Sequence, residues 1–222
     1  MLLKPAGPGA MLLALAGSVL AAAGTGSART ASAADPAAAG CTCAAAKAAG
    51  GWCDEHELGY VAGVEIRSEI LFDAVDAHGH DLDLATFTCP ECRSAIESDG
   101  FCSEHRIGFV GGQAYFSKLT YLLARGELRS PGEIACPVCR RNAESHGFCS
   151  SCGVGMAGHV AVRGRPAYDE LEREIRILEA AAEAAKRCGH CGAAALGNST
   201  CPYCKISYSG GVAVPAAVPE PK

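Results

Sequence analysis

The sequence predicts a small α+β fold of four tandem modules joined by short helices, and three observations predict it. Fourteen of the 222 residues are cysteine, whereas aromatic residues make up only 6% of the chain. So few aromatics exclude a single large aromatic core, and cysteine at this density marks either a disulfide scaffold or metal sites. The cysteines also recur in one pattern. Copy one is Cys41-x-Cys43, nine residues, then Cys53-x2-His56. Copy two is Cys89-x2-Cys92, nine residues, then Cys102-x2-His105. Copy three repeats the spacing with Cys136, Cys139, Cys149 and Cys152, and copy four with Cys188, Cys191, Cys201 and Cys204. The period is 47 to 52 residues, the mark of a repeat architecture. Finally, His56 and His105 fill the slots that Cys152 and Cys204 hold in the later copies.

That register decides between metal and disulfide. An imidazole replaces a thiolate as a ligand to a tetrahedral metal, but it cannot form half of a disulfide. The sixteen side chains fall into four sets of four, two of three cysteines and one histidine and two all cysteine. Both kinds match closed structural zinc sites, so zinc is the expected cofactor, about four ions per chain. A module of roughly 45 residues, poor in large apolar side chains, hardly offsets its conformational entropy unaided. A structural zinc supplies on the order of 10–16 kcal/mol per site. Copy one is the weak member, because Cys41-x-Cys43 lacks the two-residue spacer. Full disulfide pairing is the alternative, which an even number of cysteines permits and an oxidising compartment favours.

Taken in order, residues 1–33 read as an export signal. Lys4 precedes an apolar stretch at 10–23, and Ala31-Ser32-Ala33 offers an A-x-A cleavage site. Fourteen residues fall short of the roughly 20 that span a bilayer, so the processed chain is not expected to cross a membrane. Cys41 follows Ala39-Gly40 as a lipidated cysteine would, but Arg29, Asp35 and Pro36 separate it from the apolar run. Module one is placed at 34–66, module two at 85–116, module three at 131–165 and module four at 188–214, with a disordered Pro-rich tail at 215–222. Each module reads as a turn, a second turn and a β-hairpin. The third ligand follows Gly51-Trp52, Gly100-Phe101 and Gly147-Phe148, decaying to Ser199-Thr200 in copy four. The aromatic there is read as a plug beneath the metal. Gly59-Tyr60-Val61 and Gly108-Phe109-Val110 come next, softened to Gly155-Met156-Ala157 and Ser207-Tyr208. The hairpin closes on Val64-Glu65-Ile66, Ala114-Tyr115-Phe116, Val160-Ala161-Val162 and Val212-Ala213-Val214.

Helices fill the linkers at 67–84, 117–130 and 166–187. The first is capped by Ser68 and stops at Gly79; the second starts at Ser117 and ends at Gly126. In the third, Tyr168, Leu171, Ile175, Leu178, Ala182 and Ala185 step by threes and fours into a narrow apolar seam. The seam packs against neighbouring modules; dimerisation through it is the competing reading.

Cys136-Pro137-Val138-Cys139 followed by Gly147-Phe148-Cys149-Ser150-Ser151-Cys152-Gly153 resembles the CPxC…FCxxCG pattern of the zinc-ribbon family in its short tandem form. Copy two matches apart from His105, and copy four keeps its cysteines but not the aromatic. The resemblance covers about 80 to 90 residues in four pieces and implies zinc knuckles with a β-hairpin. It leaves function open, because zinc ribbons act as scaffolds, interaction modules and nucleic-acid binders alike.

Charge argues against nucleic acid. The chain carries 19 bases against 24 acids, a net charge of −5, and loses Lys4 and Arg29 with the signal. Its basic residues cluster only at Arg140-Arg141, Arg163/Arg165 and Lys186-Arg187, with no aromatics between them. Cys201-Pro202-Tyr203-Cys204 matches the CPYC redox motif of glutaredoxins, yet there the motif opens a helix, and here it is half of a ligand set. A catalytic zinc needs an open position near a carboxylate base, and every copy has four good ligands, so no enzyme is expected. His78-Gly79-His80-Asp81 with Asp83 reads as solvated polar residues after a helix stop, and His146 and His190 as supports within the zinc turns. The expected function is an exported, periplasmic or envelope protein whose structural zinc modules present surfaces to a protein partner. A metal buffer or carrier for zinc, copper or another soft metal is the alternative, and a thiol redox protein the next.

Overall fold

In the computed structural model, which describes residues 43–215, three of the four first ligand pairs open a helix rather than a turn. The export signal, Cys41 and the tail beyond Pro215 lie outside the described residues. Copy two shows the plan. Cys89 caps α3 (Pro90–Glu97), Pro90 occupies the first helical position where its missing N–H costs nothing, and Cys92 follows one turn in. The chain then enters β4 (Phe101–Cys102), rounds the ligand turn into β5 (Ile107–Val110) and folds back as β6 (Gln113–Tyr115). These three strands form one antiparallel sheet in sequence order. Helix α4 (Lys118–Ala124) follows, with the Thr120 N–H donating to Ser117 Oγ at 3.1 Å.

The other copies repeat this order. Copy one runs α1 (Cys43–Ala49), β1 (Trp52–Cys53), β2 (Leu58–Val61), β3 (Val64–Ile66) and α2 (Glu69–Val75). Copy three runs α5 (Pro137–Ala143), β8 (His146–Cys149), β9 (Val154–Ala157), β10 (Val160–Arg163) and α6 (Arg165–Ala185). Copy four has α7 (Gly189–Leu196), β11 (Ser207–Ser209) and β12 (Val212–Val214). The joint between helix and sheet recurs atom for atom in three copies. The N–H of Gly51, Gly100 and Ser199 donates to the carbonyls of Ala46, Ala95 and Ala194. Their own carbonyls accept from Tyr60, Phe109 and Tyr208.

The linkers differ from expectation. Helix α2 stops at Asp76, which takes a left-handed conformation at φ 50°, three residues short of Gly79. The stretch after α4 is not helical: β7 (Glu127–Leu128) pairs with β10 as the outer strand of the copy-three sheet. Strand β6 lies one residue earlier than the expected 114–116.

Nor are the modules separate. One apolar cluster joins Val61, Ile66 and Leu71 of copy one, Leu119 and Tyr121 of α4, and Leu171, Ile175 and Leu178 of α6 with Cys191, Cys201 and Tyr208 of copy four. The α6 seam is therefore occupied within the chain, and the surface considered for a dimer is spent on the core. Near its end the buried positions are Ala181 and Ala184, with Ala182 and Ala185 only partly covered. The stripe turns because α7 crosses closely there: a Cβ on Gly192 would lie 2.6 Å from Ala185 Cβ and 2.9 Å from the Ala181 carbonyl. Hairpin tips also interlock. Gly63, at φ 83°, comes so near copy three that an added Cβ would lie 1.8 Å from the Ser145 carbonyl oxygen.

Candidate metal centres

Each set is built from a helix start and a tight turn. Cys89, Cys136 and Cys188 sit at helix N-caps with extended backbones, where the amides of the first turn lack intrahelical partners. The third ligand ends a short strand in copies one to three and follows the isolated Thr200 bridge in copy four, and the fourth follows three residues later. The next residue is left-handed in every copy: Glu57 (φ 49°), Arg106 (56°), Gly153 (65°) and Lys205 (57°). Side chains rarely adopt that conformation, so its recurrence at three non-glycine positions marks one shared turn. The turn aims backbone amides at sulfur: His105 N–H donates to Cys102 Sγ at 3.5 Å, and Cys204 N–H to Cys201 Sγ at 3.4 Å.

The ligand atoms converge. Those of Cys89, Cys92, Cys102 and His105 all lie within 4.8 Å of one another, as do those of Cys136, Cys139, Cys149 and Cys152, and of Cys188, Cys191, Cys201 and Cys204. His105 Nδ1 stands 3.5 Å from both Cys92 Sγ and Cys102 Sγ. Zinc bonds of about 2.3 Å to sulfur and 2.0–2.1 Å to nitrogen place S and N about 3.6 Å apart around a tetrahedral ion, and two sulfurs about 3.8 Å. Cys136 and Cys149 stand 3.9 Å apart, far from the ~2.05 Å of a disulfide. In copy one, Cys43, Cys53 and His56 converge as well, with Cys43 Sγ 3.2 Å from Cys53 Sγ and 3.3 Å from His56 Nδ1. Cys41, the fourth residue expected there, lies outside the described residues.

The electrostatics ask for a cation. Backbone N–H groups of Cys139 and Val138 pull the Cys136 thiol down to about 7, and the Cys204 N–H leads in holding Cys201 at about 7. Burial pushes Cys92 and Cys139 up to about 12, and the thiol contact with Cys191 does the same for Cys204. The scaffold thus favours one thiolate while its neighbours resist charge, and four thiolates coexist only around a positive ion. The donor sets fit zinc.

The aromatic before the third ligand is not a plug under these sites. Trp52 packs on Phe72 at 5.3 Å between ring centroids, Phe101 on Tyr121 at 5.3 Å and Phe148 on Tyr168 at 5.8 Å. Each partner stands four residues after the N-cap of the next helix: Ser68 to Phe72, Ser117 to Tyr121, Gly164 to Tyr168. The ring lies flat on the second strand, which explains the glycine there. A Cβ on Gly108 would meet Tyr121 at 2.2 Å, and one on Gly155 would meet Tyr168 at 2.0 Å. This cap-x3-aromatic signal was legible in the sequence and extends the repeat into the helices.

The CPYC segment, half of the copy-four set, forms a turn leading to β11 and opens no helix. His146 Nε2 lies 3.0 Å from Glu179 Oε1, and His190 packs on Tyr203 at 4.3 Å. Of the HGHD segment, Asp81 faces Gln113 and Asp83 caps a short turn through the Ala85 N–H, but His78 and His80 meet Asp76. Among the described residues, no helix is long and apolar enough to cross a membrane. No known protein family, curated protein or solved structure matches the chain.

Proposed function

We propose that this chain is an exported zinc-binding repeat protein of zinc-ribbon type, whose structural zinc modules present interaction surfaces to a protein partner in the bacterial envelope. The observation that carries the zinc reading is the His105 nitrogen 3.5 Å from two cysteine sulfurs, inside a turn that recurs in copies whose fourth residue is cysteine. The sites act as staples. Copies two, three and four each bring four ligands together, the middle two buried, a set that closes around a tetrahedral ion. Export rests on residues 1–33, and the absence of a base-stacking role on Trp52, Phe101 and Phe148, whose rings face helices.

A metal carrier is the second reading, favoured by one feature: the fourth ligands Cys152 and Cys204 are exposed and open to an acceptor. Elemental analysis with a free-thiol count on the processed protein tests both. About four zinc per chain with loss of tertiary structure on chelation supports the staple. Copper, or metal exchange without unfolding, supports the carrier. Seven disulfides without metal overturn both.

A further inference from the structure

From the end of α2 we infer a further metal site, formed by Asp76, His78 and His80, that takes an exchangeable divalent cation of the zinc, nickel or copper(II) class. Its donors are two imidazoles and a carboxylate, a set suited to such ions and unlike the thiolate sets. The three ligand atoms lie within 4.8 Å of one another. Asp76 offers a separate oxygen to each ring: Oδ1 lies 3.1 Å from His78 Nδ1, and Oδ2 lies 2.8 Å from His80 Nε2. Donors bound tetrahedrally to one such ion at about 2.0–2.2 Å stand about 3.3–3.6 Å apart, so binding opens the two pair contacts by some tenths of an ångström.

Two of the three members are held in place by something other than a ligand. Asp76 is fixed as the left-handed C-cap of α2. His80 is clamped through its backbone, with its N–H donating to the Ala114 carbonyl at 2.9 Å and its carbonyl accepting from the Ala114 N–H at 3.0 Å. Its ring rests on Phe116 at 4.7 Å and on His78 at 4.4 Å. The site is open to water, since His78 is 72% exposed while His80 and Asp76 are about two-thirds covered. Three protein ligands leave at least one position for solvent, so this site exchanges its ion where the closed thiolate sets retain theirs. Because the ligands leave α2 and reach the hairpin of copy two, an ion here ties the first linker to the second module.

The inference does not depend on zinc at the thiolate sets, because its test is a difference. Zn2+ is titrated by calorimetry and equilibrium dialysis into the full-length protein, and into H78A/H80A and D76N, after prior incubation with zinc to fill the cysteine sets. The wild type is expected to bind one more zinc per chain than either variant and to release it to citrate. Nitrogen-15 spectra are expected to move at His78 Nδ1 and His80 Nε2 when that zinc enters. D81N, which alters an acid facing Gln113, keeps the extra zinc. Equal zinc in wild type and variants overturns the site, as does an extra zinc that leaves both ring nitrogens unmoved. Cysteine-bound zinc unchanged in the variants shows that they fold.

Discussion

In copy two, Phe101 lies against Tyr121 of the helix that follows, and Cys92, Cys102, Phe109 and Ala114 form a small cluster of their own. In copy four no helix follows among the described residues, and Thr200 and Ser207 stand where copy two has Phe101 and Gly108. The two hydroxyls face each other at 2.8 Å. Copy four is anchored instead through its leading helix, pressed onto α6 at Gly192, and its Cys191 and Cys201 belong to the main core. The same ligand frame therefore hangs from the molecule by its trailing helix in one copy and by its leading helix in the other. What looks like decay of the repeat in copy four falls, among the described residues, on the positions that in copy two meet the trailing helix.

The difference predicts unequal costs for removing one ligand. A structural zinc is worth on the order of 10–16 kcal/mol, as much as a whole domain's stability of about 5–15 kcal/mol. Cys201→Ser opens the main core, where Cys201 is fully buried. It is expected to abolish protection from hydrogen exchange along α6 and α7. Cys149→Ser removes zinc from a satellite cluster with Ile134 and Met156 and is expected to leave that protection standing. Each variant loses one zinc. Equal collapse of α6 in both would erase the distinction between satellite and central copies.

Next in size is the trailing contact itself. Tyr121 is buried, and its hydroxyl donates to the Asp99 carbonyl at 3.1 Å. Tyr121→Ala is expected to cost about 3–5 kcal/mol, and Tyr121→Phe about 1 kcal/mol, read as denaturation midpoints of zinc-loaded protein. Gly108→Ala drives a methyl into that ring and is expected to cost about 1–3 kcal/mol. Ser207→Ala, at the matching position of copy four, is expected to stay within about 0.5 kcal/mol. A costly S207A would mean that the position is constrained by something other than the helix.

Much of this was legible before any coordinates. Ligand spacing located the three complete sets and the Cys43, Cys53 and His56 group of copy one, because metal geometry fixes side chains a short distance apart in the chain. The hairpins were legible from glycine pairs such as Gly111-Gly112, both left-handed (58° and 84°) as a two-residue turn demands. Helices α3, α5 and α7 were missed, since seven or eight residues give too few turns for a periodic signal, although Pro90 and Pro137 stand at their first positions. Asp76 was passed over because the helix was expected to run to Gly79, which would set His78, two residues on, on another face; with the helix ending at Asp76 both rings reach its carboxylate. The fusion of the modules into one core depends on contacts such as Gly63 with Ser145, which no spacing within a single copy encodes.

The smallest expected effect concerns how each copy braces its first helix against its ligand turn. In copy two, Glu91 reaches across to the turn, accepting from the Ser103 hydroxyl at 2.6 Å and the Ser103 N–H at 2.9 Å. In copy four the matching residues are His190 and Pro202, and the brace is instead the His190 ring on Tyr203. The Ser103 bonds hold the Glu91 carboxyl down to about 2, against an ordinary 4.5. A carboxyl whose pKa is depressed by folding contributes above its unfolded value and loses that contribution as the pH falls through the folded one. Glu91→Gln is therefore expected to differ from wild type fully above about pH 4.5, with the gap closing toward pH 2. At neutral pH it is expected to weaken zinc at copy two by about tenfold, the low end for a residue that orients ligands without binding the ion. Competition with a chromophoric chelator reads this directly. His190→Ala should show the same loss at copy four with no dependence on Glu91. If E91Q holds zinc as tightly as wild type at pH 7, the ligand turn of copy two is set by its backbone alone.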